Sequence, residues 1–352
     1  MNYKLPVIFG IFFICTTNAS MANKGAFDME RWENILEGIR AKATAQHISK
    51  PVIDATLKTP AFIPSIVKSD KNQSEFKLTL DEYLNRTVSA ERIKNGKKKA
   101  TEYPTLLSRV ETKYDVPRNV ILAFWGLESN YGAVKSKHQL ISAFLTLIYD
   151  GRREEFFTKQ LLALMKIADQ NSLSIDSIHG SWAGAMGHFQ FIPTTLAQYG
   201  VDGNNDGRVD IINSVSDAMY SAGNYLNKLG WNKNEPILKT VVLPADFDRT
   251  LLNGDVKKTT TEWARLGVTN PDGSSMKPSE TKVGLIADTK EIAKRDLYQP
   301  QRNDATQTLD TDVAPAPVIR AYLTYPNFYR IKKWNNSSWY AIAIGKLSEK
   351  IK

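Results

Sequence analysis

Apolar residues recur at helical spacing from Met29 to Ala43, and the stretch from residue 23 to about 114 reads as helical but polar. Residues 115–234 hold the densest mixture of aromatic residues and glycines, and every chemically suggestive pattern in the chain. From 235 to 317 the pattern changes. Short β-branched runs, Thr240-Val241-Val242-Leu243 and Val283-Gly284-Leu285-Ile286, are broken by Pro, Asn-Gly and Asp-Gly turns, which predicts a small β-containing insertion. Within it, Lys258-Thr259-Thr260-Thr261 and Asp272-Gly273-Ser274-Ser275 read as turns or loops. From Val318 the apolar pattern returns and ends in Trp339–Ile344, predicted to be a helix packing back on the core. The expected class is α+β, mainly α. It divides into an N-terminal helical domain (23–114), a core (115–234), the insertion (235–317) and a returning C-terminal segment (318–352). No internal repeat is visible.

The first residues fall outside this scheme. Lys4 precedes a ten-residue apolar run, Leu5–Ile14, too short to span a bilayer, and Thr17-x-Ala19 and Ser20-x-Ala22 both fit small-x-small cleavage. Residues 1–22 are therefore expected to be a signal peptide, removed together with Cys15, the only cysteine. Ile14 is a poor neighbour for a lipid-attachment cysteine, which leaves an outer-membrane lipid anchor as the secondary expectation. A mature chain without cysteine has no disulfide, thiol nucleophile or cysteine metal site. Export without disulfides points to a bacterial envelope, hence near a membrane. The 352 residues are 42% hydrophobic and 24% charged, as in a folded soluble chain. Lys and Arg exceed Asp and Glu by 46 to 37, a net +9, which suits an anionic partner or serves solubility alone.

The segment Asp115-Val-Pro117-Arg-Asn-Val-Ile121-Leu-Ala-Phe124-Trp125-Gly-Leu-Glu128-Ser-Asn-Tyr-Gly132 predicts a helix with Asp115 as N-cap, Pro117 in the first turn and Gly132 as the stop. Glu128 follows Ile121, Phe124 and Trp125 by seven, four and three residues, so its carboxyl emerges from an apolar, aromatic face. It also lies in the last turn, where the helix dipole disfavours negative charge. Both effects raise a carboxyl pKa, and a carboxylic acid kept protonated near neutrality is the proton donor that a glycosidic oxygen needs. A helix-end Glu paired with an arginine is the plainer reading. A second element, Gly180-Ser181-Trp-Ala-Gly184-Ala-Met-Gly187-His-Phe-Gln190-Phe-Ile-Pro193, lets backbone approach another surface closely. It offers the Gln190 amide to a sugar hydroxyl or N-acetyl group, and Ser181 could donate its hydroxyl to Glu128. A tight helix crossing would use the same small residues.

Together these motifs resemble the lytic transglycosylases of the membrane-bound type B family (glycoside hydrolase family 103), strongly over residues 100–232 and again over 325–345. The resemblance implies a lysozyme-like helical core. It implies cleavage of the β-1,4 bond between N-acetylmuramic acid and N-acetylglucosamine of peptidoglycan glycan strands without water, leaving 1,6-anhydromuramic acid ends. It makes Glu128 the single acid and then base, Ser181 the serine beside it and Gln190 the glutamine of the groove. Arg152-Arg153 matches a paired-arginine position there, able to meet lactyl or stem-peptide carboxylates, although beside Glu154 and Glu155 they also read as a solvated face. Tyr225 matches a groove aromatic. Trp334-Asn335 matches a returning segment usually led by Tyr-Asn. With Trp in place of Tyr, a phenol hydrogen bond is lost and stacking on a sugar is expected. Ser129 stands where the family often has Thr. A periplasmic enzyme of a Gram-negative bacterium, acting as a monomer, is implied. A catalytically silent peptidoglycan-binding scaffold and a hydrolytic muramidase are the alternatives.

Asp202-Gly-Asn204-Asn-Asp206-Gly207-Arg208-Val-Asp210 fits the first half of an EF-hand loop, with Arg208 offering its carbonyl. Structural Ca²⁺ is expected, the last ligand being either Asn213 or Asp217; an ion-free Asn/Asp/Gly turn is the alternative. His179 and His188 lack a carboxylate pattern for zinc. No P-loop, dinucleotide fingerprint or nucleophile elbow stands out, so neither an organic cofactor nor a nucleic-acid partner is expected, and the basic run Arg92–Lys99 reads as a solvated helix face.

Overall fold

The computed structural model describes residues 27–71, 78–134, 136–288 and 319–352; the expected leader, with Cys15, lies outside them. The helices of the first third are α1 (Met29–Ala45), α2 (Lys50–Leu57), α3 (Pro64–Lys71), α4 (Leu80–Thr87), α5 (Ala90–Glu102) and α6 (Pro104–Tyr114). Local chemistry explains their starts. The Asp28 side chain accepts from the Arg31 amide, Thr79 and Glu82 form a reciprocal capping box, and Pro104 opens α6, where its missing N–H costs nothing. Then follow α7 (Arg118–Ser129), β1 (His138–Gln139), α8 (Leu140–Asp150), α9 (Glu154–Asn171), β2 (His179–Gly180), α10 (Pro193–Tyr199) and α11 (Val215–Lys228). The last third holds β3 (Leu238–Leu243), α12 (Thr260–Arg265), β4 (Gly284–Ala287), β5 (Ile319–Thr324), α13 (Pro326–Trp334) and α14 (Ser338–Ile351).

The expected class, mainly helical with small antiparallel sheets, is what forms. The main core is built on two helix segments buried on every side, Val120–Gly126 of α7 and Leu140–Ile148 of α8, whose only polar members are Ser142 and Thr146. Helix α14 buries Tyr340–Gly345 against α7 and α5. A second, smaller core lies on a three-stranded antiparallel sheet ordered β3-β5-β4, where Val241, Leu243, Leu285, Ala321 and Leu323 surround Trp263.

Four local expectations change. The helix of Glu128 begins after Pro117, which is its N-cap, because Asp115 is already spent as the left-handed C-cap of α6 (φ 56°). The same helix stops at Ser129, not Gly132: Asn130, Tyr131 and Gly132 take φ of 50°, 61° and 79° in succession and turn the chain back. The stretch 258–261 is not all loop, since Thr259 and Glu262 make a capping box that starts α12. The central strand of the larger sheet, β5, comes from the returning C-terminal segment, where Ile319-Arg-Ala-Tyr-Leu-Thr324 pairs on both edges.

Candidate active site

Helix α7 delivers Glu128 from a face whose other members, Ile121, Phe124 and Trp125, are fully buried. Its carboxyl lies between two residues more than 200 positions later in the chain. The Trp334 indole N–H donates to Oε1 at 3.0 Å, and the Tyr340 hydroxyl donates to the same oxygen. Burial pushes the carboxyl from 4.5 up to about 7, the two donors pulling the other way. Tyr340 is itself buried against the carboxyl, and burial holds its phenol well above the ordinary range, so it remains a neutral donor. No other carboxylate touches Glu128 among the described residues.

Tyr340 is the functional residue that sequence reasoning missed; inside Trp-Tyr-Ala-Ile-Ala-Ile it reads as core, which it also is. For Trp334 the sequence suggests only stacking on a sugar, and the structure adds a hydrogen bond. Its indole N–H replaces the lost phenol donor, and its ring packs within the protein, 4.6 Å from Phe124, 4.8 Å from Tyr225 and 5.1 Å from Phe191. Tyr225 in turn stacks on Tyr199 at 4.4 Å, and burial lifts its hydroxyl to about 12. These rings make an aromatic wall beside the carboxyl. Asn335 follows Trp334 as the exposed cap of α13.

The glycine-rich segment folds into a tight hairpin in which Met186 and Phe191 exchange backbone hydrogen bonds. Gly184 and Gly187 are required there. They sit at φ 95° and 72°, and a Cβ would fall 2.2 Å from the Phe144 ring or 2.5 Å from the Ile211 carbonyl. Ser181 does not orient Glu128. Its hydroxyl accepts the Ala185 amide at 3.0 Å, closing the hairpin on itself, and makes no hydrogen bond to the acid. Gln190, in left-handed conformation (φ 49°), donates its amide to the Gly187 carbonyl and keeps its side-chain oxygen for other donors. The hairpin is bolted to the acid's helix: the Ser129 hydroxyl donates to the His188 carbonyl at 2.6 Å, and the Trp125 indole donates to His188 Nδ1 at 3.0 Å. His188 thereby ties the hairpin to α7. Arg152 and Arg153 lie on the α8–α9 turn, where their partner is Asp70 rather than Glu128.

The transglycosylase SLT domain matches residues 31–349. The chain belongs to the lytic transglycosylases of that family. This transglycosylase is 26% identical to membrane-bound lytic murein transglycosylase B of Escherichia coli, over 94% of this chain and 80% of that one. SltB3 of Pseudomonas aeruginosa, solved with NAG-anhNAM-pentapeptide, is 33% identical with a TM-score of 0.78, over 91% of this chain and 79% of that one. Escherichia coli Slt35, solved with calcium, shares the fold at 23% identity and a TM-score of 0.72, over 90% and 92% of the two chains.

In this transglycosylase the acidic loop is closed by its own amides. Asp202 accepts from Asn205, Asp206 and Gly207, and Asp206 accepts from Arg208. The fully buried Asp217 accepts from Gly203 and Asp210, spanning the loop, whereas Asn213 folds onto Asp210. Among the described residues no three His, Cys, Asp or Glu side chains converge on a metal position. The donor set of Asp202, Asn204, Asp206, Asp210 and the Arg208 carbonyl is all oxygen, which fits a hard cation.

Proposed function

We propose that Glu128 performs both proton transfers of lytic cleavage at the β-1,4 bond between N-acetylmuramic acid and N-acetylglucosamine. A carboxyl titrating near 7 is substantially protonated at neutral pH and returns a proton as readily as it gives one. In the first half-reaction Glu128 protonates the glycosidic oxygen, the C1–O bond breaks, and the N-acetylglucosamine end leaves as an alcohol. The 2-acetamido group of the muramic acid shields the anomeric carbon. In the second half the Glu128 carboxylate takes the proton of the 6-hydroxyl, and O6 bonds to C1 to close the 1,6-anhydro ring. No water is consumed. With Trp334 and Tyr340 both on Oε1, the transferable proton belongs to Oε2. A two-carboxylate glycosidase mechanism would need a partner for Glu128.

The observation that carries this reading is the solitary, apolar-walled carboxyl at the end of α7. The NAG-anhNAM-pentapeptide bound to the 33%-identical SltB3 supports the anhydro product. Substrate contacts fall to Gln190, Tyr225 and Asn335 around the aromatic wall. Digestion of purified sacculi followed by mass spectrometry tests the reading. The expected muropeptides lack one water relative to hydrolysis products, and Glu128→Gln releases none; water-containing ends would make the enzyme a muramidase.

Calcium, held by Asp202, Asn204, Asp206, the Arg208 carbonyl and Asp210 with Asp217 closing the loop, is read as structural, pinning the chain before α11. A hard, oxygen-bound ion away from Glu128 has no part in the proton transfers. A murein substrate accords with export by residues 1–22 and a periplasmic location, as a monomer acting on glycan strands.

A further inference from the structure

Helix α5 uses its two faces differently. Gly96 is where it approaches the core most closely: a Cβ there would fall 2.5 Å from the Tyr131 hydroxyl and 2.7 Å from Ile351. Around that contact Ile93, Ala100 and Tyr103 pack inward. Two of the cations near this face are spent within the protein. The Arg92 guanidinium donates to the Arg86 and Thr87 carbonyls at the end of α4, and Lys99 pairs with Glu102 at 2.8 Å and lies over the Tyr103 and Trp125 rings. Lys94, Lys97 and Lys98 point the other way, sharing with Thr101 an exposed face at spacings of three and four residues. Ile351 brings the end of α14 to Gly96, so the exposed Lys350 and Lys352 flank the same contact. Among the described residues none of these five lysines is in an ion pair. The neighbouring acids are engaged elsewhere, Glu102 with Lys99 and Glu349 with Lys346, which leaves Glu91 of the first turn as the opposing charge on α5.

From this arrangement we infer that the outward face of α5, extended by the end of α14, is a docking surface for anionic murein, separate from the site that cuts it. The inference rests on the lytic transglycosylase reading and adds to it. Lys94 repels Lys97 and Lys98 across one and the same helix face, and a polyanion lying along that face removes the repulsion. Ammonium groups on long flexible stems suit carboxylates that recur along a polymer without fixed geometry, as those of the stem peptides do. The face lies behind the acid's helix. Gly126 of α7 meets Tyr131, which donates to the Arg92 carbonyl of α5, and Glu128, two residues on, points about 200° away around the helix. A strand held by the lysines is therefore not the strand at Glu128, and the face keeps the enzyme on the sacculus between cuts.

The test measures binding and cutting separately. In a Glu128→Gln background, Lys94→Gln with Lys97→Gln and Lys98→Gln is expected to weaken co-sedimentation with purified sacculi about tenfold at about 0.05 M salt, and about 0.5 M salt is expected to erase the difference. Gln matches Lys in helix propensity, so the melting temperature is expected to stay. In the active enzyme the triple variant is expected to digest sacculi more slowly, while kcat/KM on a short soluble glycan fragment stays within about twofold because the acid and its wall are untouched. A control, Lys58→Gln with Lys68→Gln and Lys277→Gln, removes the same charge from exposed positions elsewhere. An equal loss there would make net charge the cause and overturn the proposal. Vesicles of phosphatidylglycerol and phosphatidylethanolamine offer an anionic surface without sugar. If the triple variant loses the vesicles and keeps the sacculi, the face belongs to lipid and the proposal fails. Should the triple variant misfold, salt decides: sacculus binding by Glu128→Gln that is unchanged between about 0.05 and about 0.5 M salt refutes it. Absence of anhydro products from the wild type would instead sink the transglycosylase reading and leave the binding result standing.

Discussion

Glu128 is held where its own ionisation is unfavourable, and this links activity to stability. Its folded pKa of about 7 lies above the unfolded value near 4.5, so the folded state binds more protons between those values. Its contribution is fully present below about pH 4.5 and is lost as pH rises through 7. Glu128→Gln, which removes the titration, is therefore expected to be more stable than wild type at pH 8, by up to about 3 kcal/mol, with the gap closing towards pH 5. Denaturant melts at the two pH values measure it. In the wild type the acid form, and with it kcat/KM, falls above pH 7. The Trp334 N–H stabilises the carboxylate, so Trp334→Phe keeps the ring packing but moves that alkaline limb upward by roughly one pH unit. A pH–rate profile of the variant checks the shift, and an unmoved limb would mean the indole serves only as a wall.

At the scale of elements, the hairpin from Gly180 to Phe191 is built on backbone conformations that side chains resist. Gly184→Ala forces a methyl into Phe144 at φ 95°, and a loss of about 2–4 kcal/mol is expected, read by thermal unfolding. The sequence made the acid's helix legible, because an apolar stripe at spacings of three, four and seven residues is local information. It also made the β-branched strands β3 and β4 legible. It did not reveal Tyr340, whose apolar helical surroundings are those of any core tyrosine and whose partner is 212 residues away. Nor did it reveal that Ser181 answers the Ala185 amide rather than the acid, or that Arg152 is bound to a residue 82 positions earlier. Such contacts follow from how helices pack, and no periodicity records them. The boundary of α7 was misplaced for a related reason: Asp115 and Gly132 have the right types for caps, but α6 and a three-residue left-handed turn claim those positions.

For the whole molecule, the acidic loop is tied to the packing beneath it. Asp217, fully buried at the start of α11, holds both arms of the loop, so an ion drawing the arms together would act on the folded state alone. Calcium at about 100 times its dissociation constant is expected to add about 2.7 kcal/mol, seen as a raised melting temperature, and Asp202→Ala with Asp206→Ala is expected to abolish the rise. An equal rise in both proteins would remove the ion from this loop.

The two groups that tune Glu128 follow it by 206 and 212 positions. A polypeptide emerging from its N-terminus therefore exposes the acid long before Trp334 or Tyr340 exists. At about 5–20 residues per second, that interval lasts roughly 10–40 s. Through it the carboxyl lacks the cover of α13 and α14, and it is burial, not the two donors, that raises its pKa. With Glu128 as the proposed acid, fragments that end before residue 334 are expected to be inactive.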